Sequence, residues 1–578
     1  MLVYGDWVRR ADPREVLDGL ARRIAALAAL PAGIARHAVL AGLLIEAGEL
    51  AQGIADAEAA ERELDEDSPA QETAMALLLG CAGALRASWT GGFAAGALPT
   101  LPRFPALPAR IEARLAEGFA FYALYPETYA LAAAASGLPP TTRVVGLRSI
   151  GAPLAAMVAA ALGAAPPATL RPRGHPFRRE VALGPGLAAR LAPAAQRSPV
   201  HASGPPGSPA ICPGTPVAVV DEGPGLSGSS FGAVADWLEE RGQPPGRIAF
   251  FPSHGGAPGP QASPRHRARW DGAARHWCGF EDAILPRLPA WVAELTGPAE
   301  GPPEDIAGGA WRARLLPESA WPPVNAMLER RKYLLPAGGR TWLLKFAGLG
   351  AEGERKAARA AALAEAGLAP PVAGWRHGFS VQPWLAEARP LEPGALPRER
   401  LAAPVAQYLE FRARAFPAEA GRGASPADLH AMARHNAAEA LGEDAAGWFS
   451  RWTPGDLARL DRLARPVETD NRMQAWEWLR LPDGRLLKAD AVDHHAAHDL
   501  VGCQDIAWDV AGAVVELGLD PLPMAEPALL ALLLPCYCAF QLGAWSMAAD
   551  SAPDAAEAGR CRAAARRYAQ RLQEEMAR

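Results

Sequence analysis

The chain has 578 residues, more than one domain of ordinary size, and a net charge of −5, so no general basic field attracts nucleic acid or an anionic membrane. Only four of its 58 basic residues are lysines: Lys332, Lys345, Lys356 and Lys488. The seven cysteines are scattered without a CxxC pair, and the N-terminus lacks the pattern of a signal peptide. These features predict reduced thiols and a cytoplasmic protein, with small molecules rather than nucleic acid or membrane as partners.

The first 115 residues predict a helical accessory region. Segments 16–30 and 34–54 are rich in alanine and leucine with spaced charges, as in helices that bury one face. The acidic run 57–67 favours a solvated helix face. No chemistry is recognisable here, so we expect an accessory layer that could also support a homo-oligomer.

Residues 116–296 alternate short apolar strands with helices, which predicts a parallel sheet with strands at 143–147, 216–220 and 247–252. The second strand leads into Asp221 and Glu222, then a turn of small residues, then a helix at 231–241. Small residues at a helix start leave backbone N–H groups free for an anion, and carboxylates beside them suit a ligand with hydroxyls and phosphates. An ordinary strand–turn–helix junction without a ligand is the alternative.

This segment resembles the phosphoribosyl-diphosphate (PRPP) signature of type I phosphoribosyltransferases, with a spacer one residue longer than usual. The resemblance implies that Asp221 and Glu222 bind the ribose hydroxyls. It also implies that the 5′-phosphate is bound by the following loop, which consists of Ser227, Gly228, Ser229 and Ser230.

The turn after the strand 143–147 is similar to the diphosphate-binding loop of the same family, which implies ligand contacts from Arg148, Ser149 and Gly151. The basic segment 171–180, which includes Arg178, would close over the diphosphate, or else is an exposed basic loop. The implied reaction is displacement of pyrophosphate at ribose C1, assisted by Mg²⁺.

After a Pro/Gly-rich boundary at 297–305, residues 306–578 predict a hairpin (331–335 and 340–346), a helix at 352–366 and a strand at 381–385. A second hairpin (473–481 and 485–490) is followed by helices. Lys345 lies inside an apolar strand, where a charge is costly unless it is paired, and the next helix carries Glu354. The alternative places the Lys345 ammonium at the wet edge of the strand.

A strand lysine paired with a helix glutamate, followed by carboxylates around a late hairpin, resembles the aminoglycoside phosphotransferase and choline kinase family. The resemblance implies a protein-kinase-like fold with ATP and Mg²⁺. It assigns Lys345 and Glu354 to ATP, Asp470 to the base that orients the acceptor hydroxyl, and Glu477 and Asp490 to the metal. It makes segment 505–511 a structural helix start.

The sequence departs from that family in three ways. Thr469-Asp470-Asn471 replaces the usual His-Gly-Asp, Asp470 is seven residues before Glu477 instead of five, and no standard glycine-rich loop precedes Lys345. The insert 491–499 contains three histidines: His494, His495 and His498. With Asp493 and Asp499 they could bind a transition metal, and the alternatives are a hydrated loop or a substrate contact.

These features predict a multidomain α/β and α+β protein with a helical region (1–115), a phosphoribosyltransferase-like domain (116–296) and a bilobal kinase-like domain (306–578). The function that they favour is a bifunctional enzyme, which transfers phosphoribosyl from PRPP and phosphorylates a small molecule with ATP. Two alternatives stay open: a sensor that binds PRPP or nucleotides without turnover, and a scaffold with two degenerate folds.

Overall fold

The computed structural model describes residues 8–192, 214–326, 328–419, 421–496 and 501–577. His498, one of the three histidines of the insert, lies outside the described residues.

The N-terminal region is helical, as predicted, and side chains cap two of its three helices. Asp12 caps the first helix by accepting the Arg14 N–H, and Ser68 caps the third by accepting the Gln71 N–H. Its elements are β1 (Val8–Ala11), α1 (Pro13–Ala28), α2 (Ile34–Arg62), α3 (Pro69–Thr90) and β2 (Ile111–Arg114), with β1 and β2 antiparallel.

The prediction of a solvated helix face at 57–67 holds only in part, because residues 60–62 of the helix are exposed whereas Asp65 is buried. Helix α2 ends at Arg62, with Glu63 in the left-handed region at φ 59°. Asp65, just beyond it, is only 2% exposed, because it contacts arginines of the middle region. The end of the acidic run therefore belongs to an internal interface, whereas Glu61 and Glu63 face solvent.

The middle region is built around a parallel sheet. Its elements up to the sheet centre are α4 (Glu117–Ala120), α5 (Pro126–Ala135), β3 (Arg143–Leu147), α6 (Gly151–Leu162), β4 (Ala168–Leu170), β5 (Arg173–His175), β6 (Arg178–Glu180), α7 (Pro185–Leu191) and β7 (Val217–Val220). Those that follow are α8 (Ser229–Glu239), β8 (Ile248–Phe251), α9 (Pro264–Gly272), β9 (Ala274–Arg275), α10 (Phe280–Ala283) and α11 (Leu288–Thr296).

The strand order in this sheet is β4-β3-β7-β8-β9, and every pair is parallel. The central strands β3, β7 and β8 are almost completely buried, which explains why they read as apolar runs rather than alternating patterns. Strand β3 comes first in the chain and lies between β4 and β7 in the sheet. Strands β5 and β6 form a separate antiparallel hairpin.

The last region begins with an antiparallel sheet in the order β10-β11-β12-β14-β13. Its elements are β10 (Glu304–Asp305), α12 (Arg312–Leu315), β11 (Lys332–Ala337), β12 (Arg340–Phe346), α13 (Gly350–Glu365), β13 (Gly374–Arg376) and β14 (Phe379–Pro383). The hairpin predicted around the turn Gly338-Gly339 is confirmed, because both glycines have positive φ (57° and 74°) and Ala337 pairs with Arg340.

The remainder is mostly helical. It consists of β15 (Arg389–Pro390), α14 (Arg398–Ala415), α15 (Pro426–Leu441), α16 (Pro454–Leu463), β16 (Pro466–Val467), β17 (Trp478–Arg480), β18 (Leu486–Lys488), β19 (Gln504–Asp505), α17 (Ala507–Leu517), α18 (Pro527–Asp550) and α19 (Ala555–Ala577). The second hairpin, β17–β18, is shorter than the sequence predicted.

Three clusters of buried side chains hold these parts together. One joins the N-terminal helices, one face of the parallel sheet and the hairpin sheet; a second fills the C-terminal helical half; a third lies on the opposite face of the parallel sheet. The N-terminal helices therefore share a core with both later regions. Helices α2 and α18 are long and apolar enough to cross a membrane, but 83% and 78% of their most apolar windows are buried inside the protein.

Candidate functional site

The order of the parallel sheet places a topological switch point, called the crevice below, at the carboxyl ends of β3 and β7. In open α/β sheets, ligands bind where neighbouring strands send their connections in different directions, and β3 and β7 are such a pair. The predicted diphosphate turn follows β3 and the acidic pair follows β7. A Cβ added to Gly151 would lie 3.5 Å from Oδ1 of Asp221, so the structure brings the two predicted elements together.

Asp221 and Glu222 are half-buried at this edge. Oδ1 of Asp221 accepts the backbone N–H of Glu222 at 2.9 Å, and the Tyr129 hydroxyl donates to the Asp221 carbonyl at 2.7 Å. Burial raises the pKa of Asp221 to about 7, although Arg171 and Arg179 oppose the shift. Near neutral pH this carboxyl is therefore poised between its two protonation states.

The serine loop is occupied by the β5–β6 hairpin. The hydroxyls of Ser227 and Ser229 both donate to the Pro176 carbonyl, at 3.0 and 2.6 Å. Gly228 has φ 63°, a left-handed conformation that favours glycine, and Ser230 begins the body of helix α8. A phosphate can reach these hydroxyls only when the hairpin moves away.

Arg148 does not lie free at the crevice, contrary to the sequence-based assignment. Its guanidinium is 1% exposed and ion-paired with Asp56 at 2.9 Å and with Asp65. Asp56 also accepts two bonds from Arg171, at 2.8 and 2.5 Å, and Arg171 reaches the Ser149 hydroxyl at 3.3 Å. Two aspartates from the N-terminal region thus neutralise the cations that the sequence assigned to a diphosphate.

The cation that the hairpin directs toward the acidic pair is Arg179, not Arg178. Side chains alternate along a strand, so neighbouring residues of β6 point to opposite faces. Arg178 is exposed, whereas Arg179 is half-buried, donates to the Pro172 carbonyl at 3.0 Å and lies within electrostatic reach of Asp221. The predicted contact Arg178 is thus directed to solvent, and its neighbour Arg179 is the residue of β6 near Asp221.

A second candidate site is a cleft of about 220 Å³ between the hairpin sheet and the C-terminal half. Its polar residues come from β11, β12 and the segment around β18. They include Lys332, Lys345, Glu477, Asp490, Asp493 and His494.

Lys345 is paired, but not with the helix that follows it. Its ammonium contacts Oδ1 of Asp490 at 2.5 Å, across the cleft. Glu354 of α13 instead accepts two bonds from Arg23 of α1, at 2.9 and 2.8 Å, so the predicted Lys345–Glu354 pair is wrong. Helix α13 does supply a group to the cleft region, since Nζ of Lys356 lies 3.7 Å from Asp493.

All four lysines of the chain meet around this cleft. Lys332 contacts Glu329 at 2.9 Å, and Lys488 lies 3.3 Å from Asp470 and 3.9 Å from Glu477. Elsewhere the chain uses arginine for positive charge. An ammonium is a compact point charge, whereas a guanidinium is a wide planar fork, so lysine and arginine are not interchangeable at such contacts. The rarity of lysine was the sequence signal for this cluster.

Asp470 is buried behind the cleft and does not line it. Its side chain is 0% exposed, accepts the Tyr408 hydroxyl at 2.5 Å and contacts Lys488. Burial opposes its ionisation, but Lys488 and the His494 hydrogen bond outweigh burial and lower the pKa to about 2. Asp470 is therefore a permanently charged group behind the cleft rather than a group that faces an acceptor.

Asp509, at the start of α17, fixes the turn that contains Asp470 and Asn471. Its carboxylate accepts the backbone N–H groups of Asp470 and Asn471 at 2.7 and 2.9 Å. Burial and the charge of Asp470 raise its pKa to about 6. The structural role that the resemblance implied for this helix start agrees with these contacts.

His494 connects Asp470 to the cleft. Its Nδ1 is 3.0 Å from the carbonyl and 3.5 Å from Oδ1 of Asp470. Its Nε2 lies 3.8 Å from carboxylate oxygens of both Asp490 and Asp493. Sequence reasoning considered His494 only as one of three histidines in an insert, because the proximity to Asp470 spans 24 residues and a turn.

Asp490, Asp493 and His494 offer ligand atoms within 4.8 Å of one another. Burial opposes ionisation of Asp490 and Asp493, but Lys345 and Lys356 outweigh it and hold both pKa values below the usual range, so both are carboxylates at neutral pH. Oxygen ligands of this kind fit Mg²⁺. Glu477 lines the same cleft, but burial raises its pKa and its carboxylate lies outside this group of three.

One side of the cleft is apolar. It is lined by indole rings and other large side chains, among them Trp311, Leu343, Trp384, Trp476 and Trp545. The cleft therefore combines a charged floor with an aromatic wall, as small-molecule sites commonly do.

No protein-family model and no curated protein matches the chain. Among solved structures it is similar to a choline kinase from Streptococcus pneumoniae, with 14% identity and a TM-score of 0.29 over 41% of this chain and 89% of that one. A choline/ethanolamine kinase family protein from Mesorhizobium loti gives 18% and 0.28 over 51% and 99%. An ethanolamine kinase from Plasmodium vivax gives 11% and 0.26 over 44% and 80%.

Proposed function

We propose that the protein transfers the terminal phosphoryl group of ATP to a hydroxyl of a small molecule in the cleft between the hairpin sheet and the C-terminal half. The observation that carries this proposal is the meeting of a strand lysine, Lys345, with two ionised aspartates, Asp490 and Asp493, at a cavity large enough for a small ligand. Phosphoryl transfer needs mainly positioning and charge stabilisation, which such a set supplies.

The cations of the cleft would bind the phosphates. Lys345 and Lys332 are neighbours across β11 and β12, so their ammonium groups approach the cleft from one face of the sheet. Lys345 now contacts Asp490, and an incoming phosphate would compete for that ammonium. Its release leaves both oxygens of Asp490 available to a cation.

Asp490 and Asp493 would hold Mg²⁺, with Glu477 nearby at the same cleft. Bound there, the ion neutralises the phosphate oxygens and orients the transferred group. The fit rests on the donor set, since both carboxylates are ionised and carboxylate oxygens suit a hard cation.

His494 is the group placed to orient the acceptor hydroxyl. Its Nε2 faces the cleft beside the aspartates, and Nδ1 is held against Asp470. A base oriented by a buried carboxylate is a recurrent arrangement for taking a proton from a hydroxyl. Asp470 is then a positioning residue, in place of the direct role that the sequence resemblance implied.

Two measurements test the phosphotransferase proposal. ATP with Mg²⁺ should raise the melting temperature of the full chain, and a panel of small hydroxyl compounds should reveal acceptor-dependent ADP release. Lys345→Met and Asp490→Asn should abolish ATP binding, and His494→Gln should lower kcat by about 10²–10⁴-fold with a smaller change in KM. Arg485→Met, at the exposed turn between β17 and β18, serves as the control variant. Unchanged ATP binding in the first two variants would contradict the proposal.

A second candidate function, binding of a phosphorylated pentose such as PRPP, is favoured by the crevice between β3 and β7. There the acidic pair and the turn 148–151 lie side by side at the edge where ligands bind in such sheets. The ligand would have to displace the Pro176 carbonyl from Ser227 and Ser229, and Arg179 would replace Arg148 as its cationic contact.

PRPP with Mg²⁺ is the probe for this crevice. Pyrophosphate release with a panel of nitrogen nucleophiles would support phosphoribosyl transfer, which makes the protein bifunctional. Stabilisation by PRPP without release would support a sensor. Absence of both effects in the wild type, or equal PRPP binding in an Asp221→Ala variant, would contradict PRPP binding at the crevice. The phosphotransferase proposal for the cleft would not be affected by either result.

A further inference from the structure

Two histidines and a glutamate, far apart in sequence, meet where the three regions of the chain join. His37 belongs to α2, Glu127 to α5, and His377 to the turn between β13 and β14. All three side chains are 0% exposed. Nε2 of His37 and Nε2 of His377 lie 2.9 and 3.2 Å from the same oxygen, Oε1 of Glu127. The cluster is therefore a compact set of two imidazoles and one carboxylate.

Hydrogen bonds within the described part of the chain do not satisfy this cluster. Oε2 of Glu127 and both ring nitrogens of His377 are buried without a hydrogen-bond partner. Nε2 of His377 lies 3.2 Å from Oε1 of Glu127, as an ion-pair contact. Buried polar atoms are nearly always satisfied, and leaving them without a partner is unfavourable. One ligand atom from each of His37, Glu127 and His377 lies within 4.8 Å of the other two.

The backbone at His377 indicates that its side chain is needed there. Its φ of 39° lies in the left-handed region, which favours glycine, and glycine occupies the next position, 378. The Tyr125 hydroxyl donates to the His377 carbonyl at 2.8 Å, and the two rings meet edge to face at 5.2 Å. The chain thus holds an imidazole in an unfavourable conformation against Glu127.

We propose that His37, Glu127 and His377 bind one transition-metal ion, with Zn²⁺ as the best match. Two imidazoles and a carboxylate are a set that zinc accepts, and a water can complete four-coordination. In a tetrahedral site with bonds of about 2.1 Å, ligand atoms lie about 3.4 Å apart. The present contacts of 2.9 and 3.2 Å need to open by only a few tenths of an ångström.

The surroundings fit a structural ion rather than an open reactive one. The Ser88 hydroxyl lies 3.0 Å from Nδ1 of His37, where it can accept the N–H that a ligating imidazole presents to a second partner. The rings of Phe93 and Trp291 pack 4.7 Å from His37 and 5.1 Å from His377, centre to centre. Such an ion ties the N-terminal helices, the parallel-sheet region and the hairpin sheet to one another, independently of the proposed function.

The test is the metal content of the full chain, purified without a histidine tag. After equilibration with Zn²⁺ and removal of free metal, the wild type should retain about one zinc per chain. Glu127→Gln and His377→Asn should each retain less than about a tenth as much. Asp493→Asn, which disrupts the other cluster of His and Asp, should retain as much zinc as the wild type.

Co²⁺ loading of the wild type gives a second readout that does not depend on the folding of variants. The proposal predicts visible absorption bands of four-coordinate Co²⁺ that disappear when Zn²⁺ is added, and a melting temperature that falls on chelation. A wild-type chain that holds neither zinc nor cobalt after loading would overturn it, because the cluster would then be a network of imidazoles and carboxylate only. Equal zinc content in the wild type and in Glu127→Gln would overturn it as well.

Discussion

Replacing Lys488 by methionine keeps the length of the side chain and removes its charge from the centre of a carboxylate cluster. Nζ donates to the Asp490 carbonyl at 2.7 Å and lies 3.3 Å from Asp470 and 3.9 Å from Glu477, with the side chain 0% exposed. At an effective dielectric constant near 20, the two charge–charge contacts contribute about 5 and about 4 kcal/mol before desolvation. Because burial of the ammonium offsets part of this, we expect a net loss of about 3–5 kcal/mol in the free energy of unfolding.

Urea unfolding at pH 8 measures this loss, and Arg485→Met is the matched control. Arg485 contacts Asp483 at 2.8 Å on the same hairpin, but the two side chains are 67% and 51% exposed, so its removal should cost less than about 1 kcal/mol. The loss in Lys488→Met should shrink at lower pH, because burial raises the pKa of Glu477, which can then take up a proton. A loss no larger than that of the control would refute the charge balance between Lys488 and its two carboxylate neighbours.

Three further predictions concern the rest of the molecule. Because burial raises the folded-state pKa of Asp221 to about 7, the free energy of unfolding should fall as pH rises from about 4 to 7. Asp221→Asn should remove this fall. In thermal unfolding the variant should be more stable than the wild type by on the order of 2 kcal/mol at pH 8, and no more stable at pH 4. Asp509→Ala should speed hydrogen exchange at the amides of Asp470 and Asn471, whereas equal protection in variant and wild type would contradict the role of Asp509 in fixing that turn. A Cβ at Gly118 would lie 2.7 Å from Glu222 and 2.8 Å from Ile150, so Gly118→Ala should lower the free energy of unfolding by about 1–3 kcal/mol in chemical denaturation. In the control Gly80→Ala, the new Cβ lies inside α3 and meets no atom within 4 Å, so this variant should be more stable by about 0.5–1 kcal/mol.

Patterns that repeat within a few residues made the local elements predictable. The strand Arg143–Leu147 appears with the predicted bounds, and the hairpin of β11 and β12 is displaced by at most two residues. Both are apolar runs bounded by glycine, proline or charged residues, and that local information is enough to define a strand. The parallel pairing followed from the alternation of strands and helices.

Contacts between distant residues were the part that the sequence did not reveal. Arg148 looked available because its partners Asp56 and Asp65 precede it by 92 and 83 residues. Glu354 looked like the partner of Lys345 because it follows on the next helix, but Arg23 is 331 residues away and binds it in the fold. Charge pairing across such separations depends on how the regions pack, and no periodicity records it.

The two candidate sites are joined by one short segment, α4 and the residue after it. Gly118 packs against Glu222 of the acidic pair, and its neighbour Phe119 accepts the N–H of Leu349 through its carbonyl at 2.9 Å. Two residues further on from Gly118, the Ala120 carbonyl accepts Lys356 at 2.9 Å, and Lys356 is the partner of Asp493 in the cleft.

The ring of Phe121 extends this link, because it lies beneath both cations that contact Asp493. Nζ of Lys356 is 4.2 Å from the ring centre and the Arg330 guanidinium is 4.6 Å from it, while Arg330 also donates to Asp493 at 3.2 Å. The backbone segment that contacts Glu222 therefore also contacts the two cations that hold a carboxylate of the cleft. The crevice and the cleft are thus neighbours through a single helical turn, although about 270 residues of sequence separate Glu222 from Asp493.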